Sequence, residues 1–93
     1  MENIELDGMI FRGSTIELLQ GQLLIIQGNT GMLGCGYFNL AVADKLNSAM
    51  AVVTGVQSYD DMLNKCVVAV SARAAELGVT PGMTGREALL IMK

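Results

Sequence analysis

Apolar positions in the first third of the chain alternate with polar ones. Ile4 and Leu6 stand among charges and Asp7-Gly8 is a turn signal, which predicts a strand and a reversal. Met9 to Leu19 reads as a long extended segment, with Phe11, Thr15, Ile16 and Leu18 beside Arg12 and Glu17. Gly13 interrupts it and predicts a bulge or a close backbone approach. A turn follows at Gln20-Gly21. Leu23 to Ile26 is apolar at every position, as expected of a strand covered on both faces. Asn29-Thr30-Gly31 marks a third turn, and Met32 to Phe38 a further strand. At Asn39 the pattern changes. Leu40, Ala41, Val42, Ala43, Lys45 and Leu46 suit a helix ending near Asn47, with Asn39 as its N-cap. Ala49 to Val56 returns to strand. Ser58 opens a second helix, with Asp61 three residues on in a capping-box spacing.

From Cys66 the residues Val67, Val70, Ala74 and Leu77 recur at three- and four-residue spacing, which predicts an amphipathic helix stopped by Gly78. A strand over Cys66-Val67-Val68-Ala69 competes locally. Val79 to Met83 is a connector that holds Pro81. Thr84-Gly85-Arg86-Glu87 is a capping box before Ala88 to Met92. The expected fold class is α+β: an N-terminal antiparallel β region, then mixed helix and strand, then C-terminal helices. One domain spans 1–93, with a β-rich part over about 1–38 and a helix-rich part over about 39–93.

Composition adds a surface problem. The 93 residues are 52% hydrophobic and only 16% charged, against about 25% charged in ordinary soluble domains. A chain of this size buries only ~60–65% of its unfolded surface, so apolar surface is left over. No apolar run approaches the ~20 residues of a membrane span, and the residues after Met1 are acidic rather than the basic start of an export signal. The expectation is a cytoplasmic chain that shelters this surface against copies of itself. Nine carboxylates against six scattered basic residues leave a net charge of −3, and aromatics are 4%. Both exclude a nucleic-acid footprint. There is no histidine, which removes His-based dyads, triads and zinc sites.

At Gly34-Cys35-Gly36-Tyr37-Phe38-Asn39, and again at Gly82-Met83-Thr84-Gly85-Arg86-Glu87-Ala88-Leu89, the sequence resembles the YunC-like family of small bacterial and archaeal proteins. The domain of that family is one of unknown function. The resemblance covers nearly the whole chain, and the C-terminal motif is its more specific half. It implies an α+β domain whose N-terminal β region serves tetramerisation. It implies no activity, cofactor or catalytic residue.

Cys35 is the only candidate nucleophile. Its flanking Gly34 and Gly36 let a backbone approach a ligand, and the helix start at Asn39 favours an anion or a thiolate nearby. A small buried hydrophobe with glycines for tight packing is the competing, preferred reading. Arg86, a cation in the first turn of a helix, is either recruited by an anionic ligand or held in a salt bridge. The ligand-binding candidates are thus Gly34, Cys35, Gly36, Asn39 and Arg86. The stretch Gly28 to Gly36 lacks the Gly-Lys-Ser/Thr ending of a P-loop and the Gly-x-Gly-x-x-Gly order. Cys35 and Cys66 read as free thiols. Asp60 and Asp61, adjacent on a helix, point ~100° apart and cannot share an ion. The seven methionines are spread as packing residues, so no metal or cofactor is expected. The leading expectation is a homo-oligomeric binding or structural module, with a small anion at the Gly34-Cys35-Gly36 turn. The alternative is a small cysteine-dependent enzyme or redox protein.

Overall fold

Asp7 and Gly8 both adopt left-handed backbone, with φ of 51° and 82°. A two-residue loop with that conformation matches the natural twist of a hairpin. It joins β1 (Glu2–Leu6) to β2 (Met9–Leu18) with Leu6 opposite Met9. A second hairpin, with Leu18 opposite Gly21, brings β3 (Gly21–Gln27) alongside. β4 (Met32–Gly34) completes an antiparallel meander. This computed structural model describes residues 2–93.

After β4 the chain crosses over through helix α1 (Leu40–Lys45), and β5 (Met50–Val52) pairs with β4 in parallel. Helix α2 (Tyr59–Asn64) follows, then β6 (Ala69–Val70), α3 (Ala72–Leu77) and α4 (Gly85–Ile91). The six strands lie in chain order across one sheet. The α+β expectation therefore stands, with one parallel pair inside an otherwise antiparallel sheet.

The two faces of the sheet are covered unequally. Phe11, Leu24, Ile26, Leu33 and Ala51 point to the inner face. There they form one core with Met62 and Leu63 of α2, Ala74 of α3, and Ala88, Leu89 and Met92 at the end of the chain. On the outer face only α1 provides cover. Ala43 packs with Met50 and Val52, flanked by Met32, Phe38 and Leu40. The outer face of β2 and β3 has no helix over it.

Several expected elements change on folding. Gly13 is not bulged, because the register runs unbroken through Glu2–Gly13 and Gly13–Ile26. It is a close approach: a Cβ there would stand 2.7 Å from Ile4 Cδ1 and 2.9 Å from the Tyr59 ring. Tyr59 is fixed above it by a 2.8 Å hydrogen bond between its hydroxyl and that of Thr15. Leu23 to Ile26 is not covered on both faces. Leu24 and Ile26 are buried, whereas Leu23 and Ile25 on the outer face are half-buried. The strand expected over Met32–Phe38 stops at Gly34, and that over Ala49–Val56 is only Met50–Val52.

The largest correction concerns the helix expected from Cys66 to Leu77. Cys66 forms an isolated antiparallel bridge with Thr84, Val67 N–H donates to Met83 O, and β6 occupies Ala69–Val70. The helix begins only after Ser71, its N-cap. Val67 and Val70 face the core from extended backbone and Ala74 from a helix, and their spacing imitates a single helical face. The stop at Gly78 is as expected, with φ 106°. Asn39, Ser58 and Thr84 all cap their helices. The Ser58 cap is not reciprocal, since the Asp61 carboxylate accepts from Gln57 N–H instead.

Ser71 is the buried polar residue of the core. Its hydroxyl donates to Ser48 O at 2.7 Å and accepts from Met50 N–H at 2.9 Å and Ala74 N–H at 3.3 Å. One oxygen thereby joins the entry of β5, the end of β6 and the start of α3. Ser71→Ala is expected to lower unfolding stability by about 2–3 kcal/mol, because it leaves the buried Met50 N–H without an acceptor. Urea denaturation measures this. At the last helix, Glu87 accepts from Thr84 N–H and hydroxyl at 2.9 and 3.1 Å. The backbone bond first, then the hydroxyl bond, hold its carboxyl below the ordinary value of 4.5. A depressed carboxyl contributes stability above its unfolded pKa and loses it as pH falls through the folded one. The stability gap between the wild type and Glu87→Gln is therefore expected to be constant near neutral pH and to close in acid. Paired melts across the acid range check this.

Candidate functional site

β4 and β5 are the only parallel pair among the described residues, and their carboxyl ends open on a cavity. Open sheets of parallel strands hold ligands at such ends. The cavity encloses about 260 Å³ and is lined by Gln22, Cys35, Gly36, Tyr37, Gly55 and Val56. It continues into a groove with Gln20, Gly21 and Gln57 on its walls.

Cys35 directly follows β4. Its N–H donates to Leu24 O at 3.1 Å, and its Sγ accepts from Leu24 N–H at 3.3 Å. The residue is 4% exposed. Such a thiol closes the sheet ladder where the β3–β4 pairing ends, which is a packing and hydrogen-bonding role. Gly34 serves the same packing: a Cβ there would stand 2.6 Å from the Phe38 ring. Gly36 has only an ordinary contact with Thr54. No carboxylate, lysine or arginine lines the cavity or the groove. Their polar groups are neutral amides, the thiol and the Tyr37 hydroxyl. Nothing there is equipped to take the thiol proton, so the geometry favours the packed reading of Cys35 over a nucleophile.

The other candidate residues lie elsewhere. The Asn39 side chain accepts from Ala41 N–H at 2.9 Å, and the residue borders a separate apolar hollow beside α1, with Met32, Val42 and Leu46. Arg86 Nη2 donates to Asp7 Oδ1 at 2.9 Å, tying α4 to the first hairpin turn. It lines no part of the Cys35 cavity. Both partners are about half exposed, so this pair adds little stability. The two cysteines are free thiols, Cys35 buried and Cys66 exposed. Among the described residues no group of acidic or thiol side chains could hold a metal, and no helix is long and apolar enough to cross a membrane.

Sequence reasoning passed over Gln22, Tyr37, Gly55 and Val56. Gly55, with φ 68°, is the available signal, since a glycine in left-handed backbone a few residues after a strand marks a sharp turn. Also unanticipated in detail is the apolar outer face of the β2–β3 hairpin. Cross-strand neighbours Ile16 and Leu23 lie on it, as do Ile25 and Leu18. Ile16 is 56% exposed and Leu19, at the hairpin tip, is fully exposed.

Comparison with known proteins agrees with this fold. The family described as a domain of unknown function (DUF1805) matches residues 34–92. The uncharacterised protein YunC of Bacillus subtilis is 29% identical over 93 residues, covering 96% of this chain and 92% of its own. The crystal structure of a protein of unknown function from Thermoplasma acidophilum superposes with a TM-score of 0.94 at 32% identity. That match covers 99% of this chain and 90% of the other. Matching motifs, near-complete coverage and a shared backbone make this chain a member of the YunC-like family.

Proposed function

We propose that this protein is a homo-oligomeric module whose copies meet through the β2–β3 hairpin. The observation that carries the reading is the outer face of that hairpin, where Ile10, Ile16, Leu18, Leu23 and Ile25 have no helix to cover them. Burying each such side chain is worth about 1.5–3 kcal/mol. A second contact lies at hand on the same strand. Among the described residues β1 pairs with Met9–Gly13, and the β2 edge from Thr15 to Leu18 has no strand partner on the side away from β3. Such an edge invites pairing with another chain. A tetramer of D2 symmetry is assembled from two different two-fold contacts, and one face plus one edge supply two. The tetramer is also what the family resemblance implies.

A ligand at the Gly34-Cys35-Gly36 turn fits less well as an anion, since no cation lines that cavity. The second reading, chemistry at Cys35, is favoured by one feature: the cavity sits at the carboxyl ends of the parallel pair.

In solution the wild type is expected to sediment at four times its 9.9 kDa chain mass. Ile16→Asp, a surface change in the isolated chain, is expected to weaken assembly at least ~10-fold, since 1.4 kcal/mol is tenfold. A single-chain mass at all loadings, or wild-type assembly by Ile16→Asp, overturns the proposal. For the thiols, maleimide at neutral pH is expected to label Cys66 in the native protein and Cys35 only after unfolding. Prompt native labelling of Cys35 would reverse the order of the two readings.

A further inference from the structure

The hollow between the β3–β4 loop and the α1–β5 loop is polar and cationic, in a chain whose net charge is −3. It encloses about 330 Å³. Two arginines from distant elements reach it, Arg12 from the outer face of β2 and Arg73 from α3. Gln27, Asn29, Thr30, Asn47 and Ser48 complete its polar lining, and no carboxylate is among the lining residues.

Apart from Thr30, these groups are available. Among the described residues, the side chains of Arg12, Gln27, Asn29, Asn47 and Ser48 donate no hydrogen bond within the chain. Arg73 gives one Nη1 bond to Glu76 at 3.1 Å, an exposed pair that leaves its other nitrogens free. The nearby Asp44 carboxylate accepts from Ala72 N–H at 2.7 Å. Both guanidinium groups thus keep donors with no acceptor among the described residues.

The frame of the hollow is also held in place. Gly28 N–H donates to Gly31 O at 2.8 Å, and Thr30 is tied through its N–H to Met92 O and through its hydroxyl to Lys93 O. On the other side Ser48 N–H returns to Ala43 O, and Ser48 O accepts from buried Ser71. A pre-set frame lowers the ordering cost of binding.

We infer that this hollow binds a phosphoryl group, as free phosphate or as the head of a small phosphate monoester. Two guanidinium groups match a dianion with several acceptor oxygens, each able to take paired, charge-assisted hydrogen bonds. Amide and hydroxyl donors serve the remaining oxygens. The hollow has room for the phosphoryl group with a short ester arm. The site shares no lining residue with the Cys35 cavity, and its Arg12 lies on the same sheet face as the proposed oligomer contact, between Ile10 and Ile16.

The test is calorimetric titration of the full chain with inorganic phosphate, and separately with glycerol phosphate, against chloride at constant ionic strength. Saturable binding is expected for the wild type. Each of Arg12→Gln and Arg73→Gln is expected to weaken it by about tenfold or more, through loss of charge-assisted bonds, and Arg86→Gln to leave it unchanged. Tighter binding of the monoester identifies the ester as the ligand, and equal binding identifies phosphate alone. In wild-type protein the backbone amides of residues 29–31 and 47–49 are expected to shift in NMR spectra with the same saturation constant. Absence of saturation with both probes, an equal loss in Arg86→Gln, shifts confined to other residues, or tighter binding of malonate than of either probe overturns the assignment.

Discussion

A six-stranded sheet has two faces, and this chain has helices enough for about one and a half. α2, α3 and α4 seal the inner face, and α1 seals the outer face only over β4 and β5. All four helices are six or seven residues long, too short to stand alone in water. They persist because each has a capped start and an apolar side on the sheet. The same shortness limits the surface they can shade. Whatever the helices leave uncovered on β2 and β3 has to meet water or another chain.

This inequality explains the odd composition. In the assembly proposed above, a low charge content would be an asset rather than a defect. Ile16, Leu18, Leu23 and Ile25 occupy the positions where a half-solvated antiparallel sheet ordinarily places polar residues. Arg12 and Gln27, paired across β2 and β3 at the far end of the same face, keep the ordinary polar pattern. One sheet face thus carries an apolar stretch toward the hairpin tip and, at the other end, Arg12 and Gln27 with Ile10 and Glu5 beside them.

Local rules carried the reading of the sequence a long way. Asp7-Gly8, Asn39, Ser58, Gly78 and Thr84 each act through groups a few residues away, and each does in the fold what its type implies. Chain-distant partners were illegible. Ser71 lies inside the span whose spacing reads as one helix, and nothing local marks it as the helix cap or as the oxygen that receives Met50 N–H and donates to Ser48 O. The parallel alignment of β5 with β4 leaves no periodic trace, because both strands are three residues long and apolar. Val67, Val70 and Ala74 misled because a strand and a helix meeting at Ser71 mimic a continuous period. The site suffered from the same limit. Cys35 and its glycines were visible as a motif, yet the neutral character of their surroundings came from Gln22 and Tyr37. Arg86, singled out for its odd position, is held by Asp7 from the other end of the chain.

The strand order runs β1 to β6 without a swap, so each new strand finds its partner already made. As the chain leaves the ribosome, the N-terminal meander can form while α2, α3 and α4 are still unsynthesised. Phe11, Leu24 and Ile26 then lie bare on one side and Ile16 and Leu23 on the other. A meander formed at that stage would carry two sticky faces, the kind of exposed apolar surface that promotes aggregation. Glu2, Glu5, Asp7, Arg12 and Glu17 are the charges on hand to keep encounters between such chains brief.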